Sequence, residues 1–311
     1  MEVSNHSMVK EFILLGFPIA PHLQILFFAV FLIAFLLVLA ENIIIILTVW
    51  TTHSLHSCMY FFLSNLSFLE IWYVTVTLPK TMLSFLSRTK QISFTGFMTL
   101  LYFFLSLGST ECLLLAVIAY DCYVAICKPF HYSTIMRHTV HLTMGPWLTG
   151  FLISGSKIFF MSHLWTQKIN HFFCDVSPLL NLACADMERA ALMDFVAALF
   201  ILLMPLSIIV LSYTYIILTV LHISSVMIVC QIAFCTCISH LLVVIVFYAT
   251  SVFIYVRPKT LPVHDTKKIV SAVYCGVVPL FNPFIYCLRN HEIKDDLQKI
   301  LFRKRFSLQK H

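Results

Sequence analysis

The chain has 311 residues, of which 60% are apolar, 14% aromatic and only 11% charged. Soluble domains carry about 25% charged residues, so most of this surface cannot face water, and a two-domain soluble protein of the same length is excluded. The net charge of +6 is scattered over loops, apart from a cluster at Arg303, Lys304 and Arg305; no basic stripe with interleaved aromatics appears, which argues against nucleic acid as a partner.

Residues Met1 to Lys10 are polar and lack the charged, apolar and small-residue succession of a cleavable signal peptide. The first apolar span is therefore expected to direct insertion itself. Asn5-His6-Ser7 is an N-glycosylation acceptor, usable only if the N-terminus is extracellular. A bilayer-crossing helix needs about 20 apolar residues and must satisfy its own backbone hydrogen bonds. Spans are expected at residues 23–50, 59–78, 97–120, 142–161, 192–221, 225–256 and 269–288. The stretch from Ala190 to Val256 is too long for one crossing, and His222, Ser224 and Ser225 form its soft break, where a tight turn is expected. A different turn would change the parity of the topology. Asn65-Leu66-Ser67 repeats the glycosylation pattern inside a span, which shows how easily that triplet arises by chance.

Seven crossings put the termini on opposite sides. With the N-terminus outside, nine of the 20 Lys and Arg fall inside and 11 outside, so the positive-inside rule leaves orientation open. The expected organisation is an extracellular N-terminus over residues 1–22, a seven-span domain over 23–288 and a cytoplasmic tail over 289–311.

Glu41, Glu70, Glu111 and Asp121 lie in or at the ends of spans, where acids are expensive and usually face the bundle interior. At 1.5 Å rise per residue, Glu70 sits roughly 16 Å from the start of span two and Glu111 roughly 15 Å from the end of span three. Antiparallel neighbours measure those depths from one membrane face. Glu41, Asn42 and Asn282 fall at similar or shallower depth, which makes a polar layer. Two readings stand: protonated, hydrogen-bonded acids that hold helices together, or a hydrated cavity that takes a sodium ion or protons. Glu41 has no evident reason to belong to it. Pro283 removes a backbone donor and should kink span seven, and Asn282 beside it can serve the freed carbonyls or the polar layer. His240 is a lone histidine in an apolar span, more often a packing or hydrogen-bonding residue than a reactive one.

Five strings in chain order carry a resemblance. They are Glu11-Phe12-Ile13-Leu14-Leu15-Gly16-Phe17, Met59-Tyr60-Phe61-Phe62-Leu63-Ser64-Asn65-Leu66-Ser67, Ala119-Tyr120-Asp121-Cys122-Tyr123-Val124-Ala125-Ile126-Cys127, Thr236-Cys237-Ile238-Ser239-His240-Leu241 with Phe247-Tyr248 after it, and Pro279-Leu280-Phe281-Asn282-Pro283-Phe284-Ile285-Tyr286. Together they resemble the olfactory receptors, a family of rhodopsin-like G-protein-coupled receptors, over essentially the whole chain. The resemblance implies an all-α membrane protein, a seven-transmembrane helix bundle in the plasma membrane. It also implies a receptor for small volatile odorants that couples to a stimulatory heterotrimeric G protein and so to cyclic AMP, with no cofactor. Carried onto this chain, the ligand pocket falls at Leu105, Gly108, Ser109, Ile201, Tyr248, Ser251, Val252, Tyr255 and Tyr274. A mostly apolar pocket with a few hydroxyls suits small hydrophobic molecules bearing one polar group. The coupling and activation positions are Asp121, Cys122, Tyr123, Asn282, Pro283 and Tyr286.

The chain departs from the family at telling places. Cys122 stands where the family has an Arg that pairs with the Asp and contacts the G protein. A thiol offers neither charge nor forked donors, so Asp121 is expected to lose its neighbouring partner. Phe97 replaces the span-three Cys that bridges to the second extracellular loop, which orphans Cys174, and Leu164 replaces the partner of Cys184. Cys174 and Cys184 are left to bridge one another, a pairing whose geometry sequence does not show. Glu41 replaces a Gly, Cys58 a Pro and Ile232 a Lys, and residues 226–234 lack the expected basic side chains. These changes point to a receptor with impaired folding, coupling or both.

In the tail, Ile293, Leu297, Ile300 and Leu301 recur at helical spacing, with Lys294, Lys299 and the Arg303 cluster supplying charge. A short amphipathic C-terminal surface helix on anionic membrane lipid is expected. Two other functions were weighed. A small-solute transporter usually shows internal repeats, and none is present. A membrane enzyme would need a metal-binding His pair, a nucleophile elbow or a phosphate loop, and none is present either. A non-signalling degenerate receptor retained inside the cell is the remaining alternative.

Overall fold

The computed structural model describes residues 11–15, 21–52, 57–86, 89–162, 187–222, 228–255, 279, 280, 282, 283 and 285. In chain order these form β1 (Glu11–Leu15), α1 (Pro21–Thr51), α2 (Cys58–Leu86), β2 (Thr89–Ser93), α3 (Phe94–Cys127), the short α4 (Tyr132–Ile135) between two 3₁₀ turns, α5 (Thr139–Ser162), α6 (Met187–His222) and α7 (Ile228–Tyr255). The described residues of span seven, from Pro279 to Ile285, are helical. Among the described residues, four helices are long and apolar enough to cross a membrane, at Leu23–Thr51, Cys58–Leu83, Phe94–Cys127 and Leu199–His222.

The helices α1, α2, α3, α5 and α6 overrun the expected spans because apolarity stops at the edge of the lipid while hydrogen bonding continues to a cap. Span three shows both ends. Ser93 Oγ accepts the Gly96 N–H at 3.2 Å and starts α3 ahead of Phe97. At the other end the Lys128 N–H closes on the Val124 carbonyl, and Pro129 then stops the helix. Hydroxyls inside the helices turn back onto their own backbone, as with Thr75 to Ile71 at 2.6 Å and Ser106 to Tyr102 at 2.7 Å. In lipid that is the cheapest way to satisfy them. Asn65 does the same, its amide donating to the Phe61 carbonyl at 2.9 Å within α2.

One element escaped the sequence reading. β1 and β2 form an antiparallel ribbon with Glu11 opposite Ser93 and Leu15 opposite Thr89. The helical bundle stands, with this two-stranded addition at its end.

The third helix, α3, is the hub and packs against α2, α5, α6 and α7. One apolar cluster joins α1, α2, α3, α6, α7 and Ile285 around Phe62, Leu115, Ala119, Cys122 and Val243. A second, around Leu69, Tyr73, Leu78 and Leu107, joins α1, α2 and α3. Outward, α1 exposes Ile25, Leu26, Val30, Ile33 and Leu36, an apolar surface that requires lipid against it. The glycosylation candidate Asn5, the loop cysteines Cys174 and Cys184, the pocket candidate Tyr274, Tyr286, the turn at Ser224 and Ser225, and the tail helix lie outside the described residues.

Candidate functional site

The polar layer assembles as the depth count implies. Glu70 on α2, Glu111 on α3 and Asn282 in span seven are 1%, 4% and 1% exposed. The Asn282 amide donates to Glu70 Oε1, and Glu111 lies within electrostatic range of Glu70. Asn282 thus turns to the acids rather than to backbone carbonyls. Two buried acceptors, Glu70 Oε2 and Asn282 Oδ1, have no hydrogen-bond partner among the described residues. Asn42 is also buried, but its amide donates to the Val38 carbonyl of its own helix at 2.9 Å. Glu41 is only half-buried, although its Oε2 is enclosed without a partner.

Beside this layer stand the pocket candidates. Ser109, Tyr248 and Ser251 are buried, while Leu105, Gly108 and Ile201 are half-buried. Gly108 borders open space: nothing lies within 4 Å of where a Cβ would sit. The Tyr248 hydroxyl is enclosed without a hydrogen-bond partner among the described residues, within electrostatic range of Cys112 and Glu111. Ser251 Oγ donates to the Phe247 carbonyl at 2.8 Å. Val252 and Tyr255 are on α7, but their side chains lie outside the described residues. Tyr248 therefore spans the distance between the expected pocket and the polar layer.

At the C-terminal end of α3 Asp121, which has no Arg beside it, finds a more distant partner. Its carboxylate is not left without a partner: Oδ1 accepts the Tyr132 hydroxyl from α4 at 2.9 Å. Burial, and then the Asp121 charge beside it, push the Tyr132 phenol well above its usual range, so it stays protonated and keeps donating. Tyr132 also contacts Cys58 on α2, and Cys58 Sγ accepts the Thr139 hydroxyl from α5 at 3.2 Å. The substituted Cys58 thereby joins a chain that ties α2, α3, α4 and α5. Tyr123, half-buried, stacks obliquely on Tyr215 of α6, ring centroids 5.8 Å apart.

Cys122 itself is 3% exposed and packs in the same apolar cluster as Cys237 of α7. Nearby, the Tyr213 hydroxyl of α6 lies 2.8 Å from both the Cys237 carbonyl, to which it donates, and His240 Nδ1. His240 is fully buried and stacks on Tyr213, a packing and hydrogen-bonding residue as its setting implied. Its Nε2 makes no hydrogen bond among the described residues. Pro283 is buried next to Asn282.

The sequence reading missed Tyr132, Tyr213 and the placing of Cys122 and Cys237 in one apolar cluster. Tyr132 is separated from Asp121 by a helix stop at Pro129, so no helical period connects them. Cys237 lay within a quoted motif, and only the helix packing reveals its neighbour.

A model of the olfactory receptor family matches residues 28–304. The chain is 51% identical to olfactory receptor 6B9 of Mus musculus, covering 96% of each sequence. It is 55% identical to olfactory receptor 6A2 of Homo sapiens, covering 94% of this chain and 93% of that one. With olfactory receptor 226 of Rattus norvegicus the identity is 54%, over 97% and 95%.

Proposed function

Because the chain belongs to the olfactory receptor family, and is thus an odorant-sensing G-protein-coupled receptor of the membrane, we propose that it binds small volatile hydrophobic molecules bearing one polar group and signals through a stimulatory G protein to cyclic AMP. It does so from the plasma membrane with its N-terminus outside. The enclosed Tyr248 hydroxyl, without a partner among the described residues, carries this reading. A buried donor without an acceptor is costly, and a ligand carbonyl or hydroxyl arriving beside Gly108, Ser109 and Ile201 relieves that cost. Leu105, Ser251, Val252, Tyr255 and Tyr274 complete the proposed lining.

The polar layer transmits occupancy. Glu70 Oε2 and Asn282 Oδ1 are unmatched acceptors among the described residues, and carboxylate and carbonyl oxygens are the donor set that a proton or a sodium ion requires. Glu70, Glu111 and Asn282, with Asn42 at the edge, would hold it. Asn282, Pro283 and Tyr286 then relay the change to Asp121, Cys122 and Tyr123. Cys122 weakens G-protein contact relative to an Arg at the same position, because a thiol presents no charge.

The test uses the full chain with an epitope tag on the N-terminus, in cells carrying a cyclic AMP reporter. Antibody staining of intact cells and cyclic AMP elicited by members of a volatile panel are expected, with a larger response from Cys122→Arg. Surface staining without any response, in the parent or in Cys122→Arg, would overturn the coupling. Staining only after permeabilisation would favour the retained, non-signalling receptor.

A further inference from the structure

The end of α1, the start of α2 and the start of α5 enclose a cavity of about 550 Å³ that belongs to neither the ligand pocket nor the polar layer. Small-molecule sites occupy roughly 300–1,000 Å³. The walls are apolar, with Ile46 and Val49 on α1, Phe61 on α2 and Val140 on α5. The polar groups gather at one end. Ser57 and Cys58 open α2 and Thr139 opens α5, and the Thr139 hydroxyl, 3.2 Å from Cys58 Sγ, ties the two helices there. Trp50, 81% exposed, stands at the same end on α1, where an aromatic side chain suits a membrane interface. Seven residues along α2, about 10 Å deeper, Ser64 turns its hydroxyl onto the Phe61 carbonyl at 2.9 Å. The cavity is thus polar at its mouth and apolar at depth, the order of an amphiphile lying head outward.

The walls run into faces that lipid must cover, since Leu47 and Trp50 on α1 and Val140 and Met144 on α5 are exposed; the occupant therefore comes from the bilayer. The mouth is also basic. Arg137 and His138 immediately precede Thr139, His141 follows it, and all three are exposed. No acidic side chain is among the described residues that line the cavity. We propose that this cavity binds an anionic glycerophospholipid, with one acyl chain inside and the phosphate at Arg137. The neutral hydroxyl of a sterol would leave the guanidinium unmatched, and a symmetric second copy of this chain would bring a like charge toward it. With the N-terminus outside, the mouth faces the cytoplasmic leaflet, where anionic lipid is concentrated. The choice of leaflet rests on that orientation; the binding does not.

The full-length receptor is reconstituted in phosphatidylcholine nanodiscs with a phosphatidylserine that carries a photoreactive diazirine on one acyl chain. Both leaflets hold the probe, so the result is independent of the direction of insertion and of signalling. After illumination the digest is read by mass spectrometry. Adducts are expected on Val49, Phe61 or Val140, displaced by unlabelled phosphatidylserine, and a phosphatidylcholine probe of the same chain should label these residues far less. Arg137→Ala should weaken the labelling about fivefold, the equivalent of about 1 kcal/mol for one basic residue at an anionic surface. Val140→Trp, which fills the cavity, should abolish it while adducts at Ile33 persist. Both substituted positions are exposed, so the fold tolerates either change. Equal labelling by the phosphatidylcholine probe, or of the parent and Arg137→Ala, would overturn the proposal. Displacement by cholesterol and not by phosphatidylserine would also overturn it, in favour of a sterol. Adducts no denser on these residues than at Ile33 and Leu36 on the open face of α1 would show annular lipid only and remove the site.

Discussion

Gly150 on α5 sits where two helices approach most closely. A Cβ built there falls on Thr110 Oγ1 and comes within 2.9 Å of the Ser106 carbonyl, both on α3. Thr110 and Ser106 are fully buried, and the Thr110 hydroxyl already donates to that carbonyl at 2.8 Å. Neither can retreat without breaking a hydrogen bond that lipid will not replace. Gly150→Ala should therefore cost about 1–3 kcal/mol in overpacking, plus about 1 kcal/mol for the displaced hydroxyl. Against this stands a gain of about 1 kcal/mol in helix propensity, so the net loss is on the order of 1–3 kcal/mol. The same helix supplies its own control: nothing lies within 4 Å of a Cβ at Gly145, and at Gly155 the nearest atom is the Tyr102 ring at an ordinary 3.7 Å. Gly145→Ala should be neutral or stabilising by up to about 1 kcal/mol, with Gly155→Ala close to neutral. Thermal unfolding in detergent, followed with a dye that lights up on reacting with newly exposed cysteines, reads all three. Cys112, Cys122 and Cys237 are buried reporters. If Gly150→Ala unfolds no earlier than Gly145→Ala, the close approach of α3 and α5 is refuted.

Tyr132→Phe strips the buried Asp121 carboxylate of its 2.9 Å donor and should cost about 1–3 kcal/mol; a melting temperature equal to the parent's would show that the bond is not made. Phe97 is 2% exposed, so Phe97→Cys removes a packed ring in a change comparable to the Phe→Ala loss of about 3–5 kcal/mol. Its melting temperature in reductant should fall below the parent's, and an equal or higher value would remove Phe97 from the core. Tyr248→Phe deletes a hydroxyl that has no partner among the described residues, so stability should hold or rise. The potency of ligands with a carbonyl or hydroxyl should drop about tenfold, the equivalent of one hydrogen bond of about 1.4 kcal/mol, and an unchanged dose–response curve would exclude Tyr248 from the pocket.

The polar layer was legible before any coordinates because a helix is a ruler: 1.5 Å per residue puts Glu70 and Glu111 at one depth, and Asn282 joins them as that count implied. Apolar runs likewise located the helices, but not their ends, since Ser93 and Pro129 set the limits of α3 by hydrogen bonding rather than by hydropathy. Contacts across a break in periodicity stayed hidden. Asp121 reaches Tyr132 around the turn at Pro129, Cys58 meets Thr139 across 81 positions, and nothing in a string of letters marks Gly150 among seven glycines as the point of contact. The ribbon escaped for a similar reason, because a short strand is specified by its partner and Glu11–Leu15 is paired with residues on the far side of two crossings.

That ribbon also constrains how the chain is threaded. Leu15 can lie opposite Thr89 only if the segments flanking α1 and α2 emerge on a common side, as they do when both helices cross the bilayer. The pairing thus acts as a checksum on insertion. A chain in which α2 failed to cross would leave β1 and β2 on opposite sides of the membrane, with two strands' worth of backbone donors and acceptors unmatched. The first hairpin of the bundle is thus closed by hydrogen bonds made outside its helices, just ahead of the buried Phe97.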